Sequence, residues 1–193
     1  MSTTQPIRSM EQLRLFEEYY KHVKTNYRNY ILIIIGLNTA LRISDILLLT
    51  YGDVFDYKKQ EWKKHIVVKE QKTGKMNKIY VNKEVKETLE LYSDYILHTE
   101  NDWLFKSQMS KENPLSRYQA FRIVKEAATY AGLDNSYISC HSLRKTFGYH
   151  AWKKGTPPAL LMDIYNHSSY NITKHYLCID QDDRDEVFEQ ICL

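Results

Sequence analysis

The longest apolar run in the chain, Ile31 to Leu37, ends at Asn38 and limits what the sequence can build. A membrane span needs roughly 20 apolar residues, and this run is about a third of that. A helix that is apolar on nearly every side cannot rest on a surface either, so other elements have to enclose it. The sequence therefore predicts a buried helix from Tyr30 to Thr39 with the rest of the chain packed around it. A length of 193 residues is enough for one sizeable core.

Helical spacing flanks this run. Leu13, Phe16, Tyr20 and Val23 recur at three- and four-residue steps between Met10 and Lys24, with Ser9 placed to cap. Asn26 to Asn29 reads as a break, and a further helix is expected through Ser44 to Leu49. The pattern then changes: Ile66-Val67-Val68 and Ile79-Tyr80-Val81 are β-rich runs around QKTGKMN, where Thr73-Gly74 is turn chemistry. Helical periodicity returns at Val85, Leu89, Tyr92 and Ile96, and again after Pro114 at Ala120, Val124, Ala127 and Ala128 as far as Gly132. Three more helices are expected: His141 to Lys153, Pro158 to Tyr165, and Asp180 to Cys192 with Val187, Phe188 and Ile191. No linker-like composition shift divides the chain. The fold class is thus mainly α with a small antiparallel β-hairpin insertion, α+β, as one domain over residues 1–193.

Charge says little about a partner, because 27 Lys and Arg against 24 Asp and Glu leave only +3. Six Gly and four Pro are too few for collagen or gross disorder. The leader MSTTQPIRSM has no apolar stretch after Arg8, so no secretory signal is read and a cytoplasmic location is expected. Cys140, Cys178 and Cys192 are odd in number and widely spaced, which fits reduced packing thiols.

Several chemistries lack their residues. There is no GxGxxG, Walker A, HExxH or GxSxG, and KTGK at Lys72 to Lys75 lacks the earlier glycine of a phosphate loop. A zinc site at His167, His175 and Cys178 has no paired CxxC or HxxxH behind it. What remains is a set of cations and hydrogen-bonding groups: Arg42 in ALRISD, Lys72 in QKTGK, His141 and Arg144 in HSLRKTF, His167 in NHSS, and Tyr176. An HxxR pair puts imidazole and guanidinium on one helix face, about 60° apart, where both reach one oxyanion. Taken singly, each has an ordinary reading: Arg42 as an ion pair with Asp45, Lys72 as an exposed turn lysine, Tyr176 as one core tyrosine among 16.

Taken in this order, the set resembles the tyrosine recombinases, the site-specific DNA recombinases of lambda-integrase, Cre and Xer type. The resemblance runs from about Gln12 to Leu193, essentially the family's catalytic domain, and implies that fold. It makes Arg42 the first phosphate arginine and Asp45 the acid that braces the site. Lys72 becomes the mobile hairpin lysine that protonates the leaving 5′ oxygen. His141 and Arg144 match the HxxR pair, His167 the later His or Trp position, and Tyr176 the nucleophile. Two departures stand out: the usual TGLR is Thr39-Ala40-Leu41-Arg42, and the usual LGH is Tyr165-Asn166-His167, each without the glycine beside a catalytic group.

The implied activity is site-specific integration or recombination through a 3′-phosphotyrosyl intermediate, with no metal, ATP or other cofactor. Its implied partners are double-stranded DNA and a homo-oligomer, a tetramer on DNA docked through the C-terminal helix from Asp180 to Leu193, with a partner recombinase or accessory protein as an addition. Arg117, Arg122, Lys75 and Lys145 are the foremost DNA-binding candidates among the surface cations. The family's amino-terminal DNA-clamping domain is expected to be absent, since the sequence starts almost directly with the catalytic part. Two rival readings share the same residues: a DNA-binding accessory protein with little strand transfer, and supercoil relaxation of the type IB topoisomerase kind. The chemistry is coherent on physical grounds alone. Two guanidiniums offer fixed charged donors to a phosphate whose non-bridging oxygens gain charge, and a neutral histidine can take the proton of a tyrosine whose pKa is about 10.

Overall fold

The structure is a computed structural model that describes residues 4–94, 97–107, 110 and 112–191. Helices α1 (Met10–Glu18) and α2 (Tyr27–Asn38) open the fold, joined by a π-helical turn at Tyr19–Val23. Ser9 caps α1 as expected, its side chain accepting from the Gln12 N–H. The apolar run forms most of α2, and every residue from Asn29 to Leu37 is buried. This helix starts earlier than its apolar positions suggest. Asn26 is its cap, accepting from the Asn29 N–H at 3.1 Å, so the expected break at Asn26 to Asn29 is its first turn.

Short elements follow: α3 (Ile43–Ile46), α4 (Tyr51–Val54), and a two-stranded sheet of β1 (Phe55–Asp56) and β2 (Glu61–Trp62) that the sequence reading missed. The expected helix through Leu49 is only the four residues of α3, because the backbone turns after Ile46 toward α4. The expected hairpin is β3 (His65–Lys69) and β4 (Met76–Tyr80), antiparallel with Ile66 opposite Ile79. Then come α5 (Lys83–Ser93), α6 (Arg117–Tyr130), α7 (Cys140–Lys153), α8 (Pro158–Tyr165), α9 (Tyr170–Leu177) and α10 (Gln181–Gln190). Ile96 and Cys192, expected in helices, lie outside the described residues.

Helices α1, α5 and α7 pack on α2, which supplies the centre that the apolar run demands. A Cβ at Gly36 would stand 2.6 Å from Leu143 Cδ1, so the missing side chain lets α7 come close to α2. That contact fixes the helix that carries His141 and Arg144. A second, smaller cluster of Ala40, Leu161, Tyr165, Leu177 and Ile179 joins α8 and α9 to the segment before α3. Among the described residues no helix is long and apolar enough to cross a membrane.

Candidate active site

Arg42 is the N-cap residue of α3, and Arg144 lies on the inner face of α7, four residues past the helix start. Arg144 is 2% exposed. Its guanidinium donates to the Ala40 carbonyl and, at 3.3 Å, to the Tyr165 carbonyl, and its Cζ sits 4.5 Å from the Tyr165 ring centroid. The Tyr165 hydroxyl completes the arrangement by donating to the Arg144 carbonyl at 2.6 Å. One arginine therefore ties the segment before α3 to the end of α8. A buried guanidinium with fixed partners keeps its remaining N–H groups aimed in one direction.

Tyr176 lies on α9, a helix that the sequence reading did not separate from its neighbours. Its ring is half-buried, 5.4 Å from Tyr165 and 5.3 Å from His167 between centroids, edge-on to the imidazole. Burial pushes the Tyr176 hydroxyl above the ordinary tyrosine value, while the charges of Arg144 and Arg42 and a hydrogen bond from Arg144 act in the opposite sense. His167 follows the end of α8, and its Nδ1 is 3.0 Å from the Thr173 hydroxyl. His141 is solvent-facing at the start of α7. Partial desolvation, then Lys145, Arg144, Lys72 and Arg42, hold the His141 imidazole below 6.5. Desolvation, Arg144, Arg42 and Lys72 do the same for His167. The charge of Lys72, exposed in the β3–β4 turn, thus reaches both imidazoles. Arg42, Lys72, His141, Arg144, His167 and Tyr176, spread over 135 positions of sequence, converge here on one region.

The backbone is strained at this place. Among the described residues four non-glycine positions have positive φ, and three of them adjoin the set: Ala40 at 53°, Asn166 at 55° and Cys178 at 58°. They stand two residues before Arg42, one before His167 and two after Tyr176. A left-handed non-glycine residue costs on the order of 1–2 kcal/mol and persists where the surroundings over-determine it. Ala40 and Asn166 are the two positions without the expected glycine, and each adopts a left-handed backbone of the kind glycine takes readily.

Asp45 and Arg42 do not form the ion pair expected from their spacing. Asp45 is buried and accepts from the Gln71 backbone N–H at 3.0 Å, which braces the hairpin one residue before Lys72. Arg42 instead pairs with Glu70, Nη1 to Oε2 at 2.6 Å, with the Glu70 side chain 0% exposed. The sequence reading missed Glu70, because a carboxylate in KEQK looks like a solvated charge. Burial would raise its pKa, but hydrogen bonds from Thr73, Arg42 and Asn77 outweigh that and hold it below 4.5.

The expected DNA-binding residues divide. Arg117, Arg122 and Lys75 are exposed. Tyr118 and Phe121, which the sequence reading passed over, stand exposed on the same face of α6 as the two arginines. Lys145 does not fit the expectation of a DNA-contacting cation: it is 3% exposed, and its ammonium donates to the Thr4 carbonyl at 2.5 Å and to Cys178 Sγ at 3.3 Å. It also lies 5.4 Å from the centroid of the Tyr176 ring. An adjacent strap reinforces this corner, with Arg8 donating to the Cys178 carbonyl at 2.6 Å and to Asp180 at 2.8 Å. The segment around Arg8 thereby holds the turn between α9 and α10.

Comparison with known proteins bears on the family and the fold. Residues 7–182 match the model of the phage integrase family. The probable integrase/recombinase YoeC of Bacillus subtilis is 42% identical over 182 residues, which span 94% of this chain and 93% of YoeC. Among solved structures, XerA recombinase superposes with a TM-score of 0.76 at 21% identity over 98% of this chain and 65% of that one. XerH site-specific recombinase, in a post-cleavage complex with a palindromic difH substrate, gives 0.74 at 23% identity over 96% of this chain and 51% of that one. The chain thus spans nearly all of YoeC but between half and two thirds of the two solved recombinases.

Proposed function

The chain belongs to the phage integrase family, the tyrosine recombinases, and from that premise we propose that it is a DNA strand-transferase that cuts and rejoins double-stranded DNA at a defined site. The convergence of two guanidiniums, two neutral imidazoles and a tyrosine on one region carries the reading. Arg42 and Arg144 clamp the non-bridging oxygens of one phosphodiester, where charge grows during in-line attack. Tyr176 Oη bonds to phosphorus as the P–O5′ bond breaks. The tyrosine proton passes to His141, which partial desolvation and the surrounding cations keep neutral and able to accept it. Lys72 donates a proton to the departing 5′ oxygen, and His167 hydrogen-bonds the phosphate beside Tyr176. The 3′-phosphotyrosyl ester conserves the bond energy, so a 5′ hydroxyl from another strand reverses the step without ATP or a metal.

Arg117, Arg122 and Lys75 add phosphate contacts around the cut. Assembly on DNA as a homo-oligomer through α10 fits its exposed Val187 and Phe188 and the exposed Ile191 just after it, and a DNA substrate fits a cytoplasmic location. The test is trapping on nicked DNA drawn from the flanks of the source locus, where the cleaved 5′ fragment diffuses away. A covalent protein–DNA band is expected from the wild type in EDTA and not from Tyr176→Phe. Salt-sensitive binding without any band would overturn strand transfer in favour of an accessory DNA-binding role, and cleavage without site preference would favour supercoil relaxation.

A further inference from the structure

We propose that Glu70 is a positioning residue that fixes Arg42, the Lys72 turn and the His167 segment in one arrangement around the scissile phosphate; this rests on the strand-transfer reading above. Its side chain is fully buried, which a carboxylate tolerates only when paired and hydrogen-bonded. Oε2 accepts from Arg42 Nη1 at 2.6 Å and from Thr73 Oγ1 at 2.8 Å. Oε1 accepts from Asn77 Nδ2 at 3.1 Å and from Asn166 Nδ2 at 3.1 Å. All four lone-pair sites are thereby used.

The donors come from three separate pieces of chain, and each piece carries one member of the active set. Arg42 donates itself, from the cap of α3. Thr73 and Asn77 belong to the hairpin, and with the backbone bonds Glu70 N–H to Lys75 and Gly74 N–H to Glu70 they close the turn around Lys72. Asn166 is the left-handed cap of α8, one residue before His167. A glycine at position 166 could adopt the same backbone but could not reach Glu70, so the link between hairpin and α8 depends on this side chain. Arg42 uses one of its five N–H groups on Glu70 and leaves the others for phosphate. With its rotamer fixed before substrate arrives, the guanidinium loses little freedom on reaching the transition state.

A buried ion pair with a purely structural role predicts something different, and two measurements separate them. The first follows single-turnover formation of the covalent complex at saturating DNA, with DNA affinity and melting temperature measured in parallel, for wild type, Glu70→Gln and Asn166→Gly. Glu70→Gln keeps the shape but turns one acceptor into a donor that faces two donors. It is expected to slow the covalent step by about 100-fold, the effect of a misplaced catalytic group, with DNA affinity changed less than about threefold. Asn166→Gly is expected to show a smaller loss of the same kind. Equal losses of rate, affinity and melting temperature, or an unchanged rate, overturn the proposal. The second measurement needs no cleavage: the Arg42 guanidinium signals of arginine-labelled protein should exchange slowly in wild type and rapidly in Glu70→Gln. Identical exchange in both contradicts the positioning of Arg42 by Glu70. A wild type that forms no covalent complex but shows the slow exchange refutes strand transfer instead, and with it the catalytic purpose of the arrangement.

Discussion

Gly148 sits on α7 where that helix meets α8 and α9, and replacing it by alanine tests the packing beneath the site. A Cβ there would overlap Leu177 Cδ2 and Tyr165 Oη and stand 2.9 Å from Tyr165 Cζ. Tyr165 and Leu177 are both fully buried and cannot swing into solvent. Overpacking of this kind costs about 1–3 kcal/mol, and moving the Tyr165 hydroxyl off the Arg144 carbonyl adds about 1 kcal/mol. Against this, alanine in a helix interior is favoured over glycine by about 1 kcal/mol. The net expectation is a loss of about 2 kcal/mol, or a melting temperature lower by about 4–8 °C for a chain of this size. Thermal unfolding followed by circular dichroism measures it. The sign decides: a helix that merely tolerated its glycine would gain stability with alanine. A melting temperature equal to or above that of the wild type refutes the close approach of Tyr165 and Leu177 to α7.

Three further outcomes follow from the same geometry. Because desolvation and nearby cations hold His141 and His167 below 6.5, cleavage should be level between pH 7 and pH 8 and fall only as the pH drops below that value; a rate still rising through pH 7 contradicts a neutral imidazole. Glu17, half-buried and facing Glu84 and Glu18, has its pKa raised to about 7 from 4.5, so its ionisation opposes folding and stability declines as pH climbs through that window. Glu17→Gln should therefore be neutral at pH 4 and, after allowance for solvent screening, stabilise by about 1–2 kcal/mol at pH 8, as urea unfolding at the two pH values will show. Arg8→Ala removes the donor to Cys178 and Asp180 and should cost about 1–2 kcal/mol, measured as a lower urea midpoint; an unchanged midpoint means the strap holds nothing.

The sequence was most readable where local chemistry and burial agree. Pro158 and Tyr165 bound α8 as expected because proline starts a helix readily, and the β-rich runs around Thr73-Gly74 form the expected hairpin. Strands of two residues, as in β1 and β2, carry no period to detect. The helix of Tyr176 stayed hidden because its buried positions are only Thr173 and Leu177, too few for an apolar stripe. Within the site, the residue types and their order were visible, whereas their electrostatic partners were not. Glu70 and Lys145 make the point from opposite sides: each reads as a surface charge in its own stretch of sequence, and each is buried by contacts more than 25 positions away. Such pairing is a property of the tertiary fold, and no local pattern announces it.

The central claim is that Tyr176, out of 16 tyrosines, forms the bond to DNA. The most direct test is to isolate the covalent complex from a nicked substrate, digest both protein and DNA, and locate the remaining nucleotide by peptide mass spectrometry. The account predicts the modification on the peptide containing Tyr176 and none on those containing Tyr165 or Tyr170. A nucleotide found on any other residue contradicts it.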